Sequence, residues 1–313
     1  MATVKIKQFL GLNNVLPADK LIFLSKDERG IFEAYQQRAV NVYVDDALKL
    51  VSRKGKTLVY NGVTHSLWSD GKTCLFRQGS DLKQYFAPGV STTLRTGMVG
   101  ASAMAYLSLN NRIYYSDGVH TGIVEEGVNR TWGIQAPQAF SLTHTYGDLQ
   151  EGRYLVALSY IRTDGQESGA SPVRFIVLGE NEGIRIAGLE SLPDGVAAVM
   201  VYVSTCNGMV LYRANDVLGL SGVTSLDIVS RATISRLTDE LRTQGLDQAP
   251  PGSVLAHYKG RIFVAQGNIL FRSEPLAYEL FDLNHGYNRF DAPIQVLGSV
   301  DDGIFVGSTK QIV

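Results

Sequence analysis

The sequence is poor in the residue types that would announce chemistry. Cys74 and Cys206 are the two cysteines in 313 residues. They are too few and too far apart for a zinc cluster or for the disulfide framework of a small secreted scaffold, so two reduced thiols are expected. No stretch approaches the roughly 18 uninterrupted apolar residues of a membrane span, and Met1–Lys7 lacks the apolar core and cleavage site of a secretory leader. No membrane partner is expected, and folding in a cytoplasm is. Positive charge is not in excess: 29 basic and 30 acidic side chains leave a formal net charge of −1. That removes the global field a dedicated nucleic-acid binder uses to release counterions, although local basic patches stay open. The five histidines, His65, His120, His144, His257 and His285, have no metal-binding spacing and none neighbours a cysteine. The nucleophile elbow, the P-loop and the dinucleotide glycine turn are also absent. No catalytic residue, metal or cofactor is therefore expected, and the chain reads as a non-enzyme.

What is abundant is turn and strand material. There are 32 glycines, 15 tyrosines and 12 phenylalanines, and Val and Ile recur in short runs, a composition suited to many short strands joined by tight turns. An all-β fold is expected. Within it the chain repeats itself. Val254-Leu255 followed by His257–Val264 matches Val296-Leu297 followed by Ser299–Val306, every equivalent pair lying 42 apart. A weaker match at an offset of 39 relates Leu67-Trp68 through Phe76 to Tyr106-Leu107 through Tyr115. Asn110-Asn111, Lys259-Gly260 and Asp301-Asp302-Gly303 are hairpin signals, since Asn, Asp and Gly tolerate the positive φ that such turns demand. A period near 40 residues is typical of propeller blades, and one meander cannot bury its faces alone. Propeller-like repeats are expected at 51–134 and 246–313, the last of them incomplete.

Ile113 and Ile262 are 149 residues apart, far more than one blade occupies, so a second unit is expected between blades at 135–245. Tyr154, Val156, Leu158 and Tyr160 alternate on one face, Thr163-Asp164-Gly165 turns the chain, and further strands read 173–178, 183–187, 198–204 and 209–213. Short strands with frequent turns fit a β-sandwich of fibronectin or immunoglobulin-like character. Ala136-Pro137 and Ala249-Pro250-Pro251-Gly252 look like its linkers. One helical stretch is expected, Ile234 to Arg242. Residues 1–50 are expected to form an extended N-terminal segment in which 39–51 alternate well enough to be a strand closing the last blade.

The opening Phe9–Pro17, then Ala39–Asp46 with Leu48-Lys49-Leu50 and Arg53-Lys54-Gly55, resembles the start of tailed-bacteriophage virion structural proteins. Leu67–Gly71, Gly165–Ser171 and Arg272–Leu276 look like the same group. The resemblance implies a tail, neck or nozzle component bearing a β-propeller. It further implies a homo-oligomer assembled in the bacterial host cytoplasm into a virion, with other tail, neck or portal proteins as partners. Nucleic acid would be present only as a passing genome, and no catalytic residue is implied.

Two groups of residues compete with that reading. Glu274, Tyr278, Glu279, Asp282, His285 and Tyr287 form a candidate contact loop, because clustered carboxylates and aromatics suit a polysaccharide and paired carboxylates cleave one. The simpler reading is an extended blade loop with a solvated surface. Arg53, Lys54 and Lys56 are candidate DNA-facing residues if the protein rings a conduit, the simpler reading being solvated strand-end charges. A receptor- or polysaccharide-binding tail protein is the alternative function, with a glycosidase behind it.

Overall fold

β-branched and aromatic runs punctuated by Gly, Asn and Asp favour short strands, and the chain forms strands of three to eleven residues throughout. The computed structural model describes residues 5–312 apart from 14, 25–30, 39, 56–57, 59–60, 88, 101, 190–191, 215–224 and 236–237. The protein is all-β, made of several small and mostly antiparallel sheets. It divides into two compact units, Met1–Asn61 and Gly62–Val313.

In the first unit, β1 (Lys5–Leu12), β2 (Ile22–Leu24) and β3 (Ile31–Gln36) form a sheet of order β1-β3-β2 in which β1 runs parallel to β3. β4 (Val42–Val44) and β5 (Leu50–Ser52) make a separate hairpin. Within the stretch expected as an extended segment, 1–50, the described residues thus include four paired strands and the start of a fifth. The expected single strand over 39–51 is likewise corrected, residue 39 itself lying outside the described residues. Asp45 Oδ1 accepts hydrogen bonds from the Ala47 and Lys49 amides, and Leu48 sits at φ 56°. This Asx-type turn folds the alternating residues back on themselves, because an aspartate side chain competes with the ladder for local amides.

The second unit begins with two four-stranded meanders. The first is β6 (Thr64–Ser69), β7 (Cys74–Gln78), β8 (Asp81–Ala87) and β9 (Val90–Arg95). The next is β10 (Ala105–Leu109), β11 (Arg112–Ser116), β12 (Thr121–Glu125) and β13 (Val128–Arg130). The offset of 39 in sequence reappears as one pairing register, Trp68↔Leu75 and Ser69↔Cys74 becoming Leu107↔Tyr114 and Ser108↔Ile113. The Asn110-Asn111 turn has φ of 53° and 62°, as a primed hairpin turn requires.

Between β13 and the next meander, β14 (Ser141–Tyr146), β17 (Glu182–Ala187) and β20 (Ser225–Ile228) form one sheet. β15 (Gly152–Arg162), β16 (Arg174–Leu178), β18 (Val196–Ser204) and β19 (Leu211–Arg213) form another, in the order β16-β15-β18-β19. Tyr154, Val156, Leu158 and Tyr160 share one core with Ile184, Ile186 and Ile228 of the other sheet. The opposite side of β15 and β18 is buried too, Leu155 and Ala157 packing with Met200, Tyr202 and Leu211. Ser168 and Ser171 replace a missing strand along β15: their amides donate to the Tyr160 and Leu158 carbonyls and their Oγ atoms accept from the amides of the same two residues. A buried strand must pair its amides, and two serines three apart do so. The expected helix over 234–242 is corrected. α1 covers Arg231–Ser235, residues 236–237 lie outside the described residues, and Glu240 forms a β-bridge with Tyr212.

A third meander follows: β21 (Val254–Tyr258), β22 (Arg261–Gln266), β23 (Ile269–Glu274), β24 (Ala277–Phe281) and β25 (Tyr287–Arg289), which also pairs with β23. The last hairpin is β26 (Ile294–Val300) with β27 (Gly303–Ser308). The three meanders and this hairpin stack on one another. Leu75 and Leu82 of the first share a core with Ile113, Tyr115 and Val124 of the second. On the other face of the second, Tyr114 and Ile123 pack with Ile262, Val264 and Phe271 of the third. Ala265 and Leu270 on the third sheet's far side meet Ile294 and Val306. Successive residues of a strand point to opposite faces, so Ile113-Tyr114-Tyr115 and Ile262-Phe263-Val264 each serve two cores. Burying each such large apolar side chain stabilises by about 1.5–3 kcal/mol relative to exposure. Gly122 stands opposite Tyr115, and a Cβ there would collide with the tyrosine Oη, so glycine gives the ring its place.

Gly169 tests this packing. A Cβ on it would meet backbone, the Leu246 carbonyl oxygen and carbon, which cannot swing aside. Gly169→Ala is expected to destabilise the second unit by about 2 kcal/mol or more in denaturant unfolding. Gly298→Ala, whose Cβ would meet nothing within 4 Å, is expected to stay within about 0.5 kcal/mol of the parent.

Candidate functional site

Three places concentrate charge or exposed apolar surface, and each is set by where strands end. The first joins the first two meanders. Arg77 on β7 points inward with Leu75, and its side chain is wholly buried. Its Nη1 donates to Asp117 Oδ2 at 3.0 Å, its Nη2 to the Met98 and Gly100 carbonyls at 2.8 and 2.6 Å, and its Nε to the Gly79 carbonyl. Asp117 begins the turn after β11, and its Oδ1 accepts from the Val119 and His120 amides. Burial pushes the Asp117 carboxyl up. The His120 and Val119 amides and the His120 ring outweigh that and hold it below the ordinary value. Every polar atom of this pair that is bonded here points at structure, which makes it a clamp between sheets.

The second place is a chain of alternating charge. Glu279 of β24 pairs with Arg112 of β11 at 2.9 Å, Arg112 with Glu125 of β12 at 2.8 Å, Glu125 with Arg130 of β13 at 2.7 Å, and Arg130 with Asp164 in the turn after β15 at 2.7 Å. Arg162, next to that turn, donates through Nη2 to Thr131 Oγ1 at 2.5 Å. Glu279 is buried. Desolvation raises its pKa, with Arg112 and Arg130 opposing. Arg130, Arg162, Asp164 and Asp194 line an open cleft of about 470 Å³. The chain ties the second meander to the third and to the β15 turn. Trp132 adds an apolar tie: wholly buried, it donates from Nε1 to the Tyr278 carbonyl at 2.8 Å and packs against Tyr114 and Phe281.

The third place is the β26–β27 hairpin, where Val296, Val300 and Phe305 are exposed on one face.

The structure divides the candidate contact loop. Tyr278 and Glu279 are both buried, the tyrosine in the core shared by the second and third meanders and the glutamate on Arg112. They are neighbours on a strand, so they cannot line one surface together. Asp282 caps a turn by accepting from the Asn284 and His285 amides, His285 is exposed, and Tyr287 on β25 lies tilted against Phe271 at 5.8 Å. Glu274 ends β23, half-buried. Of the basic candidates, Arg53 and Lys54 are exposed just beyond β5, and Lys56 lies outside the described residues. Among the described residues no three of His, Cys, Asp and Glu are grouped to hold a metal ion. No helix among them is long and apolar enough to cross a membrane.

Sequence reasoning did not single out Arg77, Asp117 or Arg112. Ser116-Asp117-Gly118 is legible as a turn, and it is one. The available signal for the clamp was Arg77 itself, a charge that follows Leu75 and Phe76 on the same strand.

No protein-family model matches the chain, and no curated protein matches it significantly.

Removing one partner of a buried pair strands the other charge, so Arg77→Ala is expected to cost about 3–5 kcal/mol in urea unfolding. The pH dependence has a definite sign. Asp117 has a depressed folded pKa, so its contribution is present above the unfolded value of about 3.9 and is lost as pH falls through the lower folded one. Asp117→Asn is expected to flatten that acid limb in a stability-against-pH series while lowering stability at neutral pH. Glu279 has the opposite sign. Its raised folded pKa means that stability grows as pH falls from the folded value toward the ordinary carboxylate range, and Glu279→Gln is expected to remove that gain.

Proposed function

We propose that the chain is a structural component of a bacteriophage tail or neck, forming an oligomeric ring or platform. In this reading the stacked sheets β6–β9, β10–β13, β21–β25 and β26–β27 are consecutive propeller blades. The facing sheets of β14–β20 are an inserted β-sandwich of fibronectin or immunoglobulin-like character.

The observation that carries the propeller is two-faced burial in a common register. Each of the two middle meanders packs a neighbour on both sides, which is how blades surround an axis. The first strands of successive sheets also meet: Ser299 Oγ donates to the His257 carbonyl at 2.8 Å, and Tyr258 Oη to the Asp301 carbonyl at 3.2 Å. In a propeller the first strands line the central channel. The virion assignment rests on the sequence resemblance, and a rigid platform fastened by Arg77, Glu279 and Trp132 supports it. Function would then reside in subunit surfaces, with other copies and other tail, neck or portal proteins as partners. Arg53 and Lys54 are exposed, which suits residues facing a passing genome. The polysaccharide-binding alternative is less well supported, because Tyr278 and Glu279 are withdrawn from the surface.

Cryo-electron microscopy of particles from the source, with mass spectrometry assigning the density, tests this. Ring-like density holding several copies at the tail or neck is the expected result. Particles that lack peptides of this chain would overturn the assignment.

A further inference from the structure

The β26–β27 hairpin has one covered face and one bare face. Ile294, Leu297, Ile304 and Val306 join the core beneath the third meander. On the other side Val296, Val300 and Phe305 are 55%, 46% and 55% exposed.

The internal repeat tells what that bare face is built to meet. Val254↔Ala265, Leu255↔Val264, Ala256↔Phe263, His257↔Ile262 and Tyr258↔Arg261 recur rung for rung as Val296↔Gly307, Leu297↔Val306, Gly298↔Phe305, Ser299↔Ile304 and Val300↔Gly303. Val296 thus stands where Val254 stands one repeat earlier, Phe305 where Phe263 stands, and Gly307 where Ala265 stands. In the earlier repeat those positions are covered: Val254, Phe263 and Ala265 belong to the core they share with Ile294, Leu297, Ile304 and Val306. Val296 and Phe305, which repeat the side chains of Val254 and Phe263 in the same register, are bare in the later one. The bare face is also low. A Cβ on Gly298 or Gly303 would meet nothing within 4 Å, and Gly307 leaves the space into which Val296 leans. Glycines between apolar posts let a second backbone approach closely.

We propose that the Val296, Val300 and Phe305 face docks a further antiparallel β-hairpin of the same repeat. That hairpin presents an alternating aliphatic row equivalent to Ile294, Leu297, Ile304 and Val306. The inference rests on the stacked-blade reading and names the partner surface which that reading leaves unfilled.

The chain's own hairpin is the probe, since it already fills the equivalent seat. A fluorescent peptide of residues 291–309, closed by an end-to-end disulfide and verified as a hairpin by circular dichroism, is titrated into the full chain and followed by anisotropy. Saturable one-to-one binding is expected. Phe305→Asp should weaken it by about tenfold or more, and Phe175→Asp, at an exposed position on β16, should leave it unchanged. Both substitutions sit at exposed side chains, and unchanged melting confirms that the variants fold. No saturable binding, or equal binding to Phe305→Asp, overturns the proposal. Concentration-dependent dimers abolished by Phe305→Asp without peptide binding also overturn it and give the face to a second copy. Limited proteolysis of Phe263→Asp separates this from the stacked-blade reading. Release of β26–β27 in that variant upholds the stack whatever the peptide does, and continued protection counts against the stack itself.

Discussion

The second unit depends on sheets that are apolar on both faces. A sheet with one wet face is complete when a single layer covers it, but β11 and β22 carry large apolar side chains at consecutive positions, so each sheet needs two neighbours. Ile113 and Tyr115 turn one way and Tyr114 the other. Ile262 and Val264 face the second meander while Phe263 and Ala265 face the last hairpin. Stacking follows from that alone, and every interface in the stack is a row of alternate residues from two strands or more.

Such a stack has few wet places for polar atoms, and several of the buried ones have a partner of their own. Arg77 spends its guanidinium on one carboxylate and on backbone carbonyls, so the cost of desolvating it is offset by charge-assisted bonds. Ser116, Ser168, Ser171, Ser204 and Ser273 each accept from a backbone amide where a ladder is interrupted. Asp117 and Glu279 show how environment sets the outcome for two carboxylates. Asp117 accepts from backbone amides held by its own turn and is kept low. Glu279 has guanidinium groups nearby, and desolvation still prevails.

The inserted sheets are joined to the stack by more than their linkers. Asp164 and Arg162 reach Arg130 and Thr131 across the junction, the Ala170 amide donates to the Thr243 carbonyl, and the Asp247 and Phe281 backbones exchange hydrogen bonds. The sequence 162–171 that turns the chain after β15 therefore also forms the seam. The seam thus combines backbone hydrogen bonds with the Arg130–Asp164 ion pair.

Local pattern was enough to read the all-β class, the strands around Tyr154–Tyr160 and Ala198–Ser204, the hairpin turns at Asn110-Asn111 and Lys259-Gly260, and the repeat with its register. These follow from period-two alternation and turn chemistry, which act over a few residues. Where local pattern allowed two outcomes it misled. Residues 39–51 alternate like one strand, yet Asp45 captures two amides and makes a hairpin of β4 and β5. Residues 234–242 look helical, yet the backbone of 239–241 pairs with β19. Glu279 looked like a surface carboxylate because sequence distance hides Arg112, 167 residues away. Sequence by itself determined which residues could alternate, turn and repeat. Tertiary structure alone decided which face of each strand met which neighbour, because burial and charge pairing depend on residues that only the stacked sheets bring together.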